Sequence, residues 1–404
     1  MLAMIVTGCG PPPTPAPTAT LTPTLPPLTA TIRQPPPDFK WSRVSHEEIS
    51  FGGAADQIVN AIAMNDSIIV AVGLDRSGDD NEAAVWTSPD GLRWLRTPPD
   101  ESALGGLGDQ IMNGVTAMVG GFVAVGEDRA GGDPDGAVWM SADGQAWLRV
   151  ANEGGVFGGA GSQIIWSVVA SGSVLIAAGQ EITDSGSDGA VWASPDGKRW
   201  VRVKFDGSIF PADSDQALYS LTLGGPGLVA VGEDSATGNF DGAVWTSRDG
   251  LSWTRVTGEA FGGPTDQTLY AVTSGGPGLV AVGRDAASGE STAAVWVSAD
   301  GEVWGRVPHD EGVFGGEGEQ VMYTVKSLEG LVVTAGFDSG GGDFEAAVWT
   351  SSDGVNWTRV QGEAFQSEAD QVIYGLAIGA QGAVAGGQDL AGGESDAAFW
   401  TGKP

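Results

Sequence analysis

The sequence predicts an all-β ring, a seven-bladed β-propeller of four-stranded antiparallel blades, closed by its own N-terminal strand. Three observations predict it. The segment S-x-D-G-x-x-W occurs six times, at Asp90 and Trp94, Asp143 and Trp147, Asp196 and Trp200, Asp249 and Trp253, Asp300 and Trp304, and Asp353 and Trp357. Those tryptophans are 53 residues apart, except for 51 between Trp253 and Trp304, and Trp41 stands 53 before Trp94. A second series, Trp86, Trp139, Trp192, Trp245, Trp296, Trp349 and Trp400, ends the motif A-V-W or AFW. The repeat also starts and stops out of phase: WSRV (41–44) reads as a fourth strand and AAFWTG (397–402) as a third. A fourth strand supplied by the N-terminus completes the last blade and leaves no sheet edge from an incomplete unit.

Taken in order, the chain begins with MLAMIVTGCG. Residues Val6-Thr7-Gly8-Cys9 resemble a bacterial lipobox, which implies lipidation of Cys9. Only eight residues precede that cysteine, and none is basic, so residues 1–9 read as a truncated signal. Residues 10–38 hold half of the chain's 22 prolines and read as an extended Pro/Thr-rich spacer, because such sequence favours polyproline II and buries no core. Residues 39–404 are the propeller. Its first unit predicts four strands, A to D, near 57–63, 68–73, 83–87 and 94–97. The B strands are nearly continuous apolar runs, as in strands covered on both faces. The C–D turns carry Asp-Gly, in which Asp folds back on the backbone and Gly supplies positive φ.

The turn motif resembles the Asp-box, or BNR repeat, in a form one residue shorter than the usual S-x-D-x-G-x-x-W. The resemblance implies a propeller akin to those of sialidases and sortilin-like receptors. It does not choose among their functions, because the motif is a folding device.

Composition narrows the function. With 51 acidic residues against 19 basic, the formal charge is −32, which gives no reason to sit on nucleic acid or anionic lipid. A membrane partner is expected only through the lipid anchor. One cysteine excludes an internal disulfide, and two histidines, His46 and His309, argue against a histidine-rich metal site.

Residues present in every blade are expected to be structural. Seven of the 14 arginines occupy W-x-R on strand D: Arg43, Arg96, Arg149, Arg202, Arg255, Arg306 and Arg359. A glutamine opens each strand A. Three acidic columns flank the same end of the blades. The first precedes that glutamine (Asp56, Asp109, Asp215, Asp266, Glu319, Asp370). The second ends strand B (Asp75, Asp128, Glu181, Asp234, Asp285, Asp338, Asp389). The third opens strand C (Glu82, Asp135, Asp188, Asp241, Glu345, Asp396). These columns are expected to bond backbone N–H groups or the repeat arginines. In the loops 75–82 and 128–135, Asp75, Asp80, Asp128, Asp133 and Asp135 supply oxygen ligands of the kind Ca²⁺ takes, without the spacing of a specific Ca²⁺ loop.

Function is expected where the symmetry breaks. Unit three departs most, with Ser162, Trp166, Glu181 and the loop 182–188. Trp166 stands where other units have Asn or Tyr, a place for sugar stacking or for core packing. Arg76, Arg129 and Arg284 remain near the B–C loops after the repeat arginines are removed. A sialidase uses three arginines, a Tyr–Glu nucleophile pair and an Asp acid/base. Here Arg76 and Arg129 share one repeat position, the four tyrosines share another, and the constellation does not assemble. The expectation is therefore a surface-anchored, monomeric, non-catalytic binding module for a protein or glycan, with Trp166, Arg76, Arg129 and Glu181 as ligand-binding candidates. A sialidase-like glycoside hydrolase and a Ca²⁺-stabilised scaffold are the alternatives.

Overall fold

The computed structural model describes residues 39–45, 51 and 56–403, apart from 77, 79, 206, 212, 213, 287, 288, 341 and 392. Cys9, the spacer and His46 lie outside the described residues. The rest forms seven four-stranded antiparallel sheets. In blade one the strands are A (Gln57–Met64), B (Ile69–Asp75), C (Glu82–Ser88) and D (Leu95–Arg96). Strand D is shorter than the sequence suggests. The ladder beyond strand C lasts only two register pairs there, Trp86 with Arg96 and Thr87 with Leu95. Among the described residues no helix is long and apolar enough to cross a membrane.

Closure occurs as expected. Lys40–Arg43 pairs antiparallel with Asp396–Lys403, opposing Trp41 to Gly402 and Arg43 to Trp400. The seam between blades seven and one is stitched again elsewhere. Gln57 N donates to Ser395 O at 2.5 Å, Ser395 N donates to an Asp56 carboxylate oxygen at 2.9 Å, and Trp94 stacks on Phe399 with centroids 3.9 Å apart. The ring is thus closed at this seam by backbone, carboxylate and aromatic contacts together.

The core lies between blades, where each sheet packs its Val, Ala and Leu rows on the next. The strand-C tryptophans are fully buried at its centre. An indole N–H there needs a partner, and Trp139 Nε1 finds one in Ala103 O at 2.6 Å. The loop from strand D to the next strand A also accepts from the preceding blade, through Ala83 N to Leu104 O at 2.9 Å. It therefore ties two blades together.

The S-x-D-G-x-x-W turns form as the motif requires. Asp90 accepts the Leu92 and Arg93 amides at 3.0 Å, the Ser88 hydroxyl accepts Gly91 N at 2.8 Å, and Trp94 Nε1 donates to Gly91 O at 3.1 Å. Gly91 has φ +75°, and a Cβ there would stand 2.8 Å from Val384 of the neighbouring blade. Backbone conformation and packing both demand glycine.

Candidate functional site

The acidic columns gather at the end of the ring opposite these turns. Cross-strand register sets Gln57 against Asp75 and Asp75 against Glu82, so strand A begins, strand B ends and strand C begins there. Like charges opposed across a ladder are destabilising. Six blades oppose carboxylates in this way, blade five having Thr292 opposite Asp285, and a strand-D arginine meets the strand-B carboxylate in all seven. Arg149 and Arg202 meet Asp128 and Glu181 at 2.7 Å, and Arg43, Arg96, Arg255, Arg306 and Arg359 pair with Asp389, Asp75, Asp234, Asp285 and Asp338. Each guanidinium also lies over the strand-C tryptophan of its blade, 4.7 Å from the ring centre for Arg255 and 5.8 Å for Arg359, a cation–π arrangement. The first column works differently. Asp109 accepts Asn81 N at 3.0 Å and Asp215 accepts Ser187 N at 2.8 Å, each from the preceding blade's B–C segment.

The predicted ligand-binding residues are not brought to one place by their hydrogen bonds. Arg76 pairs with Asp56 at 2.9 Å and bonds Asn81. Arg129 pairs with Glu127 at 3.0 Å. Glu181 accepts from Arg202 and from Gln163 at 3.1 Å. In blade three the B–C loop is a zipped hairpin, since strands Val174–Thr183 and Gly186–Ser194 pair out to Thr183 with Gly186. Among the Ca²⁺ candidates, Asp75 and Asp128 are paired with arginine and Asp80 accepts Gly108 N at 3.1 Å. Asp135 takes a long 3.5 Å contact from Asn152, while burial and its neighbours Asp128 and Asp133 push its carboxyl up. Asp133 is exposed. Among the described residues no group of three or more His, Cys, Asp or Glu is arranged to hold a metal ion. His309 is bonded to exposed Glu311 at 2.9 Å.

Trp166 stands in a feature that the sequence only half reveals. Each strand A carries a β-bulge at the third residue after its glutamine, as between Val59 and Ala61 and between Ile165 and Ser167. The extra residue of a bulge leaves the ladder, and its side chain is re-aimed. Opposite each bulge strand B has glycine. A Cβ on Gly73 would stand 1.8 Å from Ile58 O, and one on Gly232 equally close to Ala217 O. The seven bulged residues, Asn60, Asn113, Trp166, Tyr219, Tyr270, Tyr323 and Tyr374, all line the central channel. Five consecutive aromatics make an arc there, with ring centres 5.1 to 6.1 Å apart. The two asparagines lock to the next blade, Asn60 Nδ2 donating to Met112 O at 3.0 Å.

On the acidic side of this arc lies a cluster found in only two blades. Tyr219 donates its hydroxyl to Glu233 Oε1 at 2.7 Å, and Thr268 Oγ1 donates to Glu233 Oε2 at 2.9 Å, across the seam between blades four and five. Burial first, then the Glu233 charge, pushes the Tyr219 phenol far above its ordinary value, and the Arg284 charge opposes that rise. Arg284 bonds Ser291 at 3.3 Å through Nη1, and its Nε is buried with no hydrogen-bond partner among the described residues. Arg284 is also not in the B–C loop where the sequence placed it. It is a strand-B residue of Gly278–Asp285, one before the acidic column. Its repeat column reads Leu74, Glu127, Gln180, Glu233, Arg284, Phe337 and Gln388. Tyr219, treated in the sequence as one of four equivalent tyrosines, is set apart by its carboxylate partner. The signal that would have found Glu233 and Arg284 is the variability of this column between an invariant Gly and an acidic residue.

No family model matches the sequence, and no curated protein matches it. Solved structures do resemble the fold. An α-L-arabinanase of Penicillium chrysogenum superposes with TM-score 0.50 at 15% identity, over 74% of this chain and 94% of that one. An α-L-arabinofuranosidase of Fusarium graminearum gives 0.51 at 12%, over 90% and 97%. The Trypanosoma rangeli sialidase gives 0.49 at 14%, and the match spans 59% of its length. The neighbours are glycoside hydrolase propellers, and at these identities the likeness is one of fold.

Proposed function

We propose that the protein is a lipid-anchored, extracytoplasmic propeller that binds a glycan at the channel mouth on its acidic face. The cluster of Tyr219, Glu233, Thr268 and Arg284 carries this reading. It breaks the seven-fold pattern, lies against an aromatic arc that offers stacking faces, and leaves a buried guanidinium N–H open to an acceptor. Convergent polar groups beside aromatic walls are the usual form of a small-ligand site. Cys9 and the spacer would hold the ring away from the membrane.

The second reading, a sialidase-like hydrolase, is favoured by one observation. A tyrosine hydroxyl bonded to a carboxylate is the arrangement of a phenol nucleophile with its base. One arginine stands beside it, where that family uses three. A fluorogenic sialoside and a fluorogenic arabinofuranoside, incubated with the full chain, separate the two readings. Under the binding reading neither is turned over, and Glu233→Gln or Arg284→Ala lowers glycan affinity at least tenfold by calorimetry. Turnover lost in Tyr219→Phe while affinity is kept establishes the hydrolase instead.

A further inference from the structure

The variable strand-B column that holds Glu233 and Arg284 reads Phe337 in blade six, and there it carries the aromatic arc outward. The Phe337 ring centre lies 5.9 Å from that of Tyr323 in the arc and 4.7 Å, edge to face, from that of Phe344. Phe337 is buried, whereas Phe344 keeps 37% of its surface exposed. A run of rings therefore leads from the channel wall, along blade six, to the surface of the loop end. Phe344 closes the B–C loop there, directly before strand C, Glu345–Ser351. At that repeat position the other blades hold Asn81, Pro134, Ser187, Phe240, Ser291 and Ser395. Phe240 is the one other aromatic in the column, and strand B of its blade offers Glu233 where blade six has a ring. The run also starts beside the cluster. Burial pushes the Tyr323 phenol up and the Arg284 charge opposes the rise, as it does at Tyr219.

Phe344 is held in place by its backbone. Its N–H donates to an Asp370 carboxylate oxygen at 2.8 Å, and its carbonyl accepts from Gln371 N at 2.5 Å, so blade seven grips both groups. A platform fixed in this way loses little freedom when a ligand settles on it. Its surroundings select the ligand. Glu345 follows Phe344 and Asp370 holds its amide. Ionised carboxylates accept hydrogen bonds and donate none. They suit the hydroxyls of a sugar and repel the charge of a uronate or a sialic acid. The apolar face of a sugar ring matches the exposed face of Phe344, and a chain of sugars can reach it from the channel mouth along the rings.

We infer that the ligand is an uncharged oligosaccharide, with one sugar at the Glu233 and Arg284 cluster and a later one stacked on Phe344. The inference rests on the reading of the mouth as a glycan site, and it adds the length and the charge class of the glycan.

A glycan array tests this with the full chain. It carries neutral mono-, di- and tetrasaccharides beside uronate-bearing and sialylated tetrasaccharides. The tightest neutral tetrasaccharide should bind at least tenfold better than its own monosaccharide and at least tenfold better than any charged chain. Phe344→Ser, which installs the residue that three other blades hold at this position, should remove the gain with length and keep monosaccharide binding. Glu233→Gln should weaken both lengths alike. In the unsubstituted protein, that tetrasaccharide should slow hydroxyl-radical oxidation of Phe344 at least fivefold by mass spectrometry while the monosaccharide leaves it unchanged, a readout independent of whether the variant folds. No gain with length, a gain that survives Phe344→Ser, an unprotected Phe344, or a preference for a charged chain would each overturn the inference and leave the glycan site standing. Failure of every chain on the array to bind would overturn both.

Discussion

The two ends of the ring use the same residue type to opposite effect. At the turn end each repeated aspartate serves one turn. Asp90 accepts two backbone amides and the Arg93 side chain, and Arg93 first, through its side chain and amide, holds the carboxyl down at about 2. The Arg199 and Lys198 amides hold Asp196 at about 2 as well. At the loop end carboxylates face one another across strands. Burial pushes Glu82 and Asp188 up, helped by Glu101 and Asp75 in the first case and by Glu181 in the second. Charge at the turn end solves a local backbone problem. At the loop end it is shared between strands and held in check by seven arginines stacked on tryptophan. The large negative charge is thus in good part architecture, and a ligand site must be sought in residues outside these columns.

The sharpest way to break the comparison is to remove one aspartate from each end. Asp75 is nearly fully buried, and Asp75→Ala strands Arg96 over Trp86. Breaking a buried pair from one side costs about 3–5 kcal/mol. Asp90→Ala removes two exposed amide hydrogen bonds and the exposed Arg93 pair and should cost about 1 kcal/mol. Urea unfolding of the two variants measures the gap, and equal losses would mean that the two ends are not held differently. The double variant Asp75→Ala with Arg96→Met should recover part of the loss, because it leaves no unpaired guanidinium.

The fold was legible because each blade needs the same devices. Trp94 and its counterparts, Gly91 with its left-handed backbone, and Arg96 opposite Asp75 each recur at one spacing, and repetition marks them as structural. The site was legible only in part. Trp166 could be noticed as a break in its column, but a linear pattern does not show that a bulge turns that column into the channel. Glu233 and Arg284 occupy a column whose other members are Leu74, Glu127, Gln180, Phe337 and Gln388, and their significance comes from which side chains the ring brings near them. Arg76 and Arg129 drew attention as arginines outside the repeat, yet each is engaged by a nearby carboxylate. Sequence separates repeated from singular residues, whereas the closed ring decides which singular residues meet.

The smallest effect expected is also the most direct reading of the two ends, because they respond to acid with opposite sign. The turn aspartates have lowered values in the fold, about 2 for Asp90 and Asp196, so below the ordinary aspartate value the unfolded chain binds more protons than the folded one. Stability is then lost as pH falls through that window. Glu82, Glu127, Asp135 and Asp188 have raised values. For these the folded chain binds more protons just above the ordinary carboxylate range, so stability is gained as pH falls into it and lost as pH rises out of it. Tm measured from pH 7 downward should therefore rise slightly, pass a maximum near the ordinary carboxylate range, and fall towards pH 2. Glu82→Gln should flatten the first limb and leave the second unchanged, and Asp90→Asn should weaken the second and leave the first. A Tm that falls steadily from pH 7, or a Glu82→Gln variant that alters only the acid limb, would show that the loop-end carboxylates carry no burial penalty or mutual repulsion for protonation to relieve.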